Sequence, residues 1–150
     1  MSAKRTDLVS APAGAILIAD DNRDDIALVS RDLRRMGLPN VIHSVPDGEQ
    51  VVGYLKGLGP FGDRDKFPHP VLLVLDLRME PMDGFAVLKW LKENPRYKTF
   101  PVLVLTGLLE RNQLSKAYQL GATTFLTKPA ALNDLKETFH ALNILPKKLA

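Results

Sequence analysis

Short apolar runs alternate along the chain with segments whose apolar residues recur at helical spacing. The runs, each of strand length, cover residues 15–19, 41–45, 71–75, 102–105 and 123–126. The first intervening segment is typical, with apolar side chains at Ile26, Val29, Leu33 and Met36, three or four residues apart. Continuous apolar strands separated by helices predict an α/β fold of five strand–helix units, (βα)5, with a doubly wound parallel sheet covered on both faces.

Residues at the ends of the predicted helices support this division. Gly37 and Gly121 follow the first and fourth helices, where a left-handed C-terminal cap belongs. Asp47, with Gln50 three residues later, has the form of a capping box that opens the second helix. Asn94 precedes a proline and closes the third helix.

One domain, residues 14–143, accounts for most of the chain. Residues 1–13 lack periodicity and are predicted to form a flexible N-terminal tail, and residues 144–150 a C-terminal tail. Between the second helix and the third strand, residues 57–70 are rich in glycine and proline. We predict an extended loop there, longer than most connections in a compact domain.

Polar side chains follow four of the five strands. Asp20 and Asp21 end the first strand, Asp76 the third, Thr106 the fourth and Lys128 the fifth, whereas the second ends without a reactive group. Ligands of open parallel sheets bind beyond the carboxyl ends of the strands, at the switch point in strand order. In a flavodoxin-like sheet of order 2-1-3-4-5, which we predict here, these endings converge on one crevice.

The chemistry of this crevice favours a divalent cation and phosphate. Three carboxylates in one pocket repel one another, and oxygen-only ligands suit Mg²⁺. A carboxylate can act as the nucleophile toward phosphorus and form an aspartyl phosphate. Lys128 offers a mobile positive charge and Thr106 a hydroxyl donor to phosphoryl oxygens, and Gly107 leaves room for the incoming group.

Composition narrows the classes of protein further. The chain has 150 residues, 45% of them hydrophobic and 25% charged, which suits a globular domain with its own core. Cysteine is absent, so disulfides, zinc–thiolate sites and thiol chemistry are excluded. The net charge of +3 lacks a basic block, so we expect no DNA partner, and no apolar run approaches a membrane span. We expect a cytoplasmic location.

Five short motifs, in this order, resemble those of the receiver domains of two-component response regulators. They are Ile18-Ala19-Asp20-Asp21-Asn22, Leu75-Asp76-Leu77-Arg78-Met79 with Met82-Asp83-Gly84, Leu105-Thr106-Gly107, Gly121-Ala122 and Thr127-Lys128-Pro129. The resemblance extends over residues 14 to 143. Each motif is weak alone, but the ordered set is specific. The long loop before the third strand resembles that of stand-alone regulators associated with phytochrome-type histidine kinases.

The resemblance implies a phosphoacceptor with a metal site. Asp76 is the implied phosphorylation site. Asp21, Asp76 and the backbone carbonyl of Arg78 are implied to hold Mg²⁺, with Asp20 supporting the ion directly or through water. The chain is therefore expected to be a switch, not an enzyme, apart from its own Mg²⁺-dependent phosphorylation and dephosphorylation.

The resemblance also implies a switching pair. Thr106 and Lys128 are expected to contact the phosphoryl group, and the family often has a cis bond before the proline at Pro129. Phe125 stands where the family keeps a switching aromatic residue, although its apolar context alone indicates a core side chain. Movement of Thr106 and Phe125 is expected to reshape the fourth helix, fifth strand and fifth helix, roughly residues 109–143.

The implied partners are proteins. A sensor histidine kinase, of phytochrome type by the narrower resemblance, or a phosphotransfer protein supplies the phosphoryl group, and a downstream protein reads the switched surface. A homodimer through the fourth helix, fifth strand and fifth helix is a further hypothesis from the resemblance.

Departures from the family pattern keep two other functions open. Glu80 stands where the family has a proline, Pro81 follows it, and Leu108 occupies a position that influences phosphoryl lifetime. One alternative is a phosphorylation-independent, receiver-like binding module. The other is a Mg²⁺-dependent phosphohydrolase of the haloacid-dehalogenase type, but that class has a second Asp where this chain has Arg78.

Overall fold

A computed structural model describes residues 14–107 and 110–144 of the chain. It shows a five-stranded sheet in the order β2-β1-β3-β4-β5 in which every neighbouring pair is parallel. The strands are β1 (Ala15–Ala19), β2 (Ile42–Val45), β3 (Pro70–Leu75), β4 (Val102–Thr106) and β5 (Thr124–Thr127). The helices are α1 (Arg23–Arg35), α2 (Gly48–Lys56), α3 (Gly84–Glu93), α4 (Arg111–Gln119) and α5 (Leu132–Ala141). The predicted flavodoxin-like α/β fold and its strand order are confirmed.

Alternation along the three central strands divides the core into two layers. Ile16, Leu72 and Leu103 point to one face, where buried side chains of α1 and α5 cover them. Their sequence neighbours Leu17 and Leu73 point to the other face, toward α2 and α3. Because successive strand side chains face opposite sides, both faces of these strands must be apolar, which explains the continuous runs in the sequence.

Side-chain caps begin three of the helices. Asn22, Asp47 and Asp83 each accept a hydrogen bond from the backbone N–H three residues later, opening α1, α2 and α3. Gly57 ends α2 in the left-handed conformation, with φ of 69°.

Several predicted boundaries need correction. Strand β2 begins at Ile42 and not at 41, and β5 covers Thr124–Thr127 and not 123–126. Thr123 lies just before β5, and its hydroxyl accepts the N–H of Val102 at 2.9 Å. Ile144, assigned to the C-terminal tail, is 3% exposed and packs with the α1–α5 layer. The remaining tail residues, 1–13 and 145–150, lie outside the described residues.

The predicted extended loop 57–70 ends one residue earlier, because Pro70 is the first residue of β3, and the loop is pinned to the domain. It contains a 3₁₀ turn at Gly59–Gly62. Within it, the guanidinium of Arg64 donates to the carbonyl oxygens of Tyr54, Leu55 and Phe67 at 2.8–3.2 Å. The Tyr54 hydroxyl donates to the Pro68 carbonyl at 2.8 Å. Because the loop leads into the first residue of β3, it lies at the edge of the sheet opposite to the carboxyl ends of the strands.

Candidate functional site

The carboxylates that follow β1 and β3 lie side by side. Ala19 pairs with Leu75 in the parallel register, and the N–H of Asp76 donates to the Ala19 carbonyl at 2.9 Å. This register brings Asp20 and Asp76 together, 4% and 6% exposed, while the neighbouring Asp21 faces solvent. The three side chains offer oxygen atoms that all lie within 4.8 Å of one another. The predicted convergence of strand ends on one crevice is therefore observed.

Thr106 closes the pocket from the end of β4. Its hydroxyl, which is buried, donates to Oδ1 of Asp76 at 2.6 Å. The backbone N–H of Arg78 donates to the same oxygen at 3.3 Å. A 2.6 Å bond from a hydroxyl to a carboxylate is in the range of strong charge-assisted hydrogen bonds. The two donors fix the orientation of the Asp76 carboxylate.

Lys128 reaches the pocket from the end of β5. Its Nζ lies 2.6 Å from Asp20 Oδ2, 2.9 Å from Asp25 Oδ2 and 3.4 Å from Asp76 Oδ2. The bond between Lys128 and Pro129 is cis. Lys128 thus supplies the positive charge that partly balances the crowded carboxylates.

The electrostatics of the pocket favour the protonated forms of Lys128 and Asp20. Burial by itself lowers the pKa of Lys128, but hydrogen bonds to Asp20 and Asp25 and the charge of Asp76 outweigh it, so the pKa is raised. Burial also raises the pKa of Asp20, against the opposing hydrogen bond from Lys128. A pocket that resists further negative charge in this way is suited to a cation.

The donor set fits Mg²⁺. Asp20, Asp21 and Asp76 provide only carboxylate oxygens, and hard divalent cations prefer oxygen ligands. A cavity of about 490 Å³ opens beside Asp20 and Asp21, toward the end of β2. Among the described residues, no atom lies within 4 Å of a Cβ added to Gly107. The cluster therefore combines oxygen ligands with open space next to Asp20 and Asp21.

A close backbone contact supports the strand that leads to Asp76. A Cβ on Gly84 would lie 2.5 Å from the carbonyl oxygen of Asp76 and 2.7 Å from Cα of Leu77. Only glycine allows the start of α3 to approach β3 so closely. The intervening turn contains a cis bond between Glu80 and Pro81, which the sequence analysis did not anticipate.

Phe125 links β5 to α4. Its half-buried ring packs edge-to-face against Tyr118, with centroids 6.0 Å apart, and Tyr118 is 44% exposed. Ala117 is the residue of α4 that is buried in the core. The Lys116 ammonium also lies 4.6 Å from the centroid of the Phe85 ring on α3. Leu108, which was predicted to influence phosphoryl lifetime, lies outside the described residues.

Asp25 is the site residue that the sequence analysis missed. It lies in the first turn of α1, four residues after Asp21, and bonds to Lys128. Asp21 precedes α1, which begins at Arg23, so the two residues do not share a helical face and their spacing is not a signal for Asp25. No motif on its own distinguishes Asp25 from the adjacent exposed Asp24.

Comparisons with known proteins agree with this site. The model of the response regulator receiver domain family matches residues 16–140. Response regulator Rcp1 of Synechocystis sp. is 32% identical over 126 residues, covering 84% of each chain. The structure of its Mn²⁺-bound form has a TM-score of 0.74 at 28% identity and covers 91% of this chain and 99% of its own.

Two further solved structures are similar over most of the chain. The phosphorylated cyanobacterial phytochrome response regulator RcpA has a TM-score of 0.72 at 29% identity, covering 88% of this chain and 90% of its own. The bacteriophytochrome response regulator AtBRR has a TM-score of 0.79 at 28% identity, covering 92% and 98%.

The family accounts for what the pocket contains. Its members are phosphoacceptors of two-component signalling and not catalytic enzymes. The described part of the chain has no helix that is both long and apolar enough to cross a bilayer. The order of the strands, the three clustered carboxylates with Lys128, and the family match over residues 16–140 lead to one assignment. The chain belongs to the response regulator receiver domain family.

Proposed function

We propose that Asp76 accepts a phosphoryl group from a sensor histidine kinase or a phosphotransfer protein in a Mg²⁺-dependent reaction. The observation that supports this most directly is the surroundings of its carboxylate. The Thr106 hydroxyl bonds to one oxygen at 2.6 Å, and the Lys128 ammonium lies 3.4 Å from the other. Both donors stand where they can turn to the oxygens of a phosphoryl group on Asp76.

The chemistry is a simple displacement. A carboxylate oxygen of Asp76 attacks phosphorus and forms an O–P bond, while the bond from phosphorus to the donor nitrogen or oxygen breaks and its electron pair leaves with the donor. Asp20, Asp21, Asp76 and the carbonyl of Arg78 would hold Mg²⁺, which supplies charge neutralisation for the transferring group. Thr106 and Lys128 then donate to the new phosphoryl oxygens.

The switch passes from Thr106 to the surface of α4, β5 and α5. Thr106 pairs with Thr127 in the sheet, two positions beyond the pair formed by Val104 and Phe125. A turn of the Thr106 side chain toward the phosphoryl group vacates space near β5, and Phe125 moves with its partner Tyr118 on α4. A downstream protein reads the altered surface, and neither DNA nor a membrane is needed as a partner.

The phosphoryl donor is a histidine kinase of phytochrome type, or a phosphotransfer protein that relays from one. Support comes from relatives whose names include phytochrome response regulators, one of them crystallised in its phosphorylated form. From the family resemblance, we also propose that phosphorylation favours a homodimer through α4, β5 and α5. Light-scattering mass with and without a phosphoryl mimic tests this, and a monomer under both conditions contradicts it.

The deciding experiment is intact mass after incubation with acetyl phosphate, with and without Mg²⁺. We expect a gain of one phosphoryl group that requires Mg²⁺, is absent from Asp76→Asn and is retained by Asp65→Asn, a matched change in the distant loop. No gain with acetyl phosphate or with a phosphorylated kinase contradicts the proposal. That outcome favours a receiver-like module that binds its partner without phosphorylation.

A further inference from the structure

Lys128 is shared among three carboxylates, one of which stands apart from the others. Asp20 and Asp76 belong to the acidic cluster suited to a cation, whereas Asp25 does not. Even so, the bond from Lys128 to Asp25 is 2.9 Å and the contact with Asp76 is 3.4 Å. In the resting pocket, the ammonium therefore lies closer to Asp25 than to Asp76.

The ammonium has little freedom to add a partner. A lysine has three N–H donors, and here three carboxylates surround them. The 3.4 Å contact between Lys128 and Asp76 is longer than the usual bond between an ammonium and a carboxylate, so a close bond to a phosphoryl oxygen on Asp76 would draw Lys128 toward β3. Because Asp25 lies on α1, that movement lengthens the bond between Lys128 and Asp25.

The backbone of Asp25 is held in place independently of Lys128. Its backbone N–H is capped by the Asn22 side chain at 3.0 Å in the first turn of α1. The Asp25 side chain is 32% exposed, beside a cavity of about 310 Å³ between α1 and the start of α5. The backbone of Asp25 is thus held at the rim of the pocket, so the carboxylate can follow Lys128 inward only as far as its own short side chain reaches.

We propose that Asp25 is a positioning residue that holds the Lys128 ammonium in its resting place and competes with a phosphoryl group on Asp76 for it. This inference rests on the proposed function of Asp76. Asp25 itself touches neither the phosphoryl group nor the cation. It acts through Lys128, and it disfavours the arrangement in which Lys128 contacts a phosphoryl group on Asp76.

The test measures binding of beryllofluoride, a phosphoryl mimic, to the full chain in Mg²⁺, using the amide signal of Gly107 in nuclear magnetic resonance titrations. Asp25→Asn should bind the mimic about three- to tenfold more tightly than the wild type, because a charge-assisted bond no longer opposes movement of Lys128. Asp24→Asn is the matched control, since it removes the same charge one residue away without a bond to Lys128. It should change the affinity by less than about 1.5-fold, the part due to long-range charge.

A double-mutant cycle separates positioning from general electrostatics. In a Lys128→Gln background, Asp25→Asn should have no more effect than Asp24→Asn, because the partner through which Asp25 acts is missing. Asp25→Glu should bring the affinity back toward that of the wild type. Equal effects of Asp25→Asn and Asp24→Asn, weaker binding by Asp25→Asn, or tightening that persists without Lys128 each overturn the inference.

Failure of the proposed function would be recognisable separately. If the wild type neither binds the mimic nor gains a phosphoryl group, Asp76 is not an acceptor and the inference falls with it. If the wild type does both and the Asp25 cycle shows no coupling, only the positioning role is wrong. The same double-mutant cycle, applied to the free energy of unfolding without metal, measures the coupling between Asp25 and Lys128 in the resting state.

Discussion

The hydroxyl of Thr106 donates a 2.6 Å hydrogen bond to Oδ1 of Asp76 and thereby joins the ends of β4 and β3. Both side chains are buried, so the bond is made where water competes little for either atom. In the unphosphorylated pocket this donor serves the carboxylate itself. The same donor is the one that we expect to turn to a phosphoryl group.

We predict that Thr106→Val lowers the free energy of unfolding by about 1.5–3 kcal/mol, the usual range for a hydrogen bond to a charged group. Valine has nearly the same shape, so the loss reports the missing hydroxyl. Urea unfolding without metal measures it. Thr127→Val, on the exposed end of the paired strand, should stay within about 0.5 kcal/mol. Thr106→Ser should recover most of the loss, and no difference between the Val and Ser variants contradicts the prediction.

Mg²⁺ should stabilise the folded chain, because the ion relieves repulsion among the three carboxylates. At one hundred times its dissociation constant, a ligand of the folded state adds about 2.7 kcal/mol to the free energy of unfolding. Urea unfolding in Mg²⁺ and in chelator measures the difference. Asp21→Asn should lose most of it and, in chelator, be at least as stable as the wild type, because Asp21 is an exposed member of the cluster.

Asp24→Asn is the control for the Mg²⁺ prediction, since it removes an exposed charge nearby and leaves the cluster intact. It should keep the full gain on addition of Mg²⁺. If Mg²⁺ stabilises Asp21→Asn as much as the wild type, Asp21 is not a ligand.

Much of this site could be predicted, because it depends on features that are local in sequence. Each strand places its next residue at the carboxyl edge, so Asp20, Asp76 and Lys128 were recognisable once the strands were recognised. The resting partner Asp25 was not, because its bond to Lys128 joins residues 103 positions apart and depends on where the first turn of α1 lies relative to the residue that follows β5. Secondary-structure periodicity carries no information of that kind.

The loop 57–70 shows the same limit. Its glycine and proline content correctly indicated irregular backbone. The residue that organises it, Arg64, lies among charged neighbours that have no such role, and its three bonds go to backbone carbonyls. Backbone acceptors are present at every position, so the sequence cannot single out which carbonyls Arg64 will find.

Gly84→Ala should disturb the strand that carries Asp76. The added methyl group would press on the Asp76 carbonyl at 2.5 Å and on the Leu77 backbone, which have no flexible side-chain atom to move away. We expect a loss of about 1–3 kcal/mol in the free energy of unfolding. Gly53→Ala is the control: in the middle of α2 its Cβ would meet only the Phe61 ring at 3.9 Å, and alanine should stabilise the helix by about 0.5–1 kcal/mol. Equal stability of the two variants contradicts the contact.

Stability should fall in mild acid through His69. Burial lowers the pKa of this imidazole below its ordinary value, and its ring stacks on Tyr97 at 5.7 Å. The unfolded chain therefore binds more protons at this residue, so its contribution is complete above the ordinary pKa of about 6.5 and is lost as the pH falls below it. Unfolding at about pH 7.5 and pH 5.5 should show a smaller difference for His69→Gln than for the wild type. The exposed Lys98→Gln should keep the wild-type difference, and an unchanged slope in His69→Gln refutes the assignment.

The shallow seating of α4 has a consequence for how strongly a signal must act. Ala117 is the residue of α4 that is buried in the core, and the described contacts of the helix include that of the Lys116 ammonium with the Phe85 ring. A shift of α4 exposes little apolar surface, so alternative positions of this helix are close in free energy. Each additional bias of about 1.4 kcal/mol changes their ratio tenfold. The acyl phosphate that we propose for Asp76 would therefore need to supply only a small bias to redistribute α4, and the sheet beneath the helix would keep its stability.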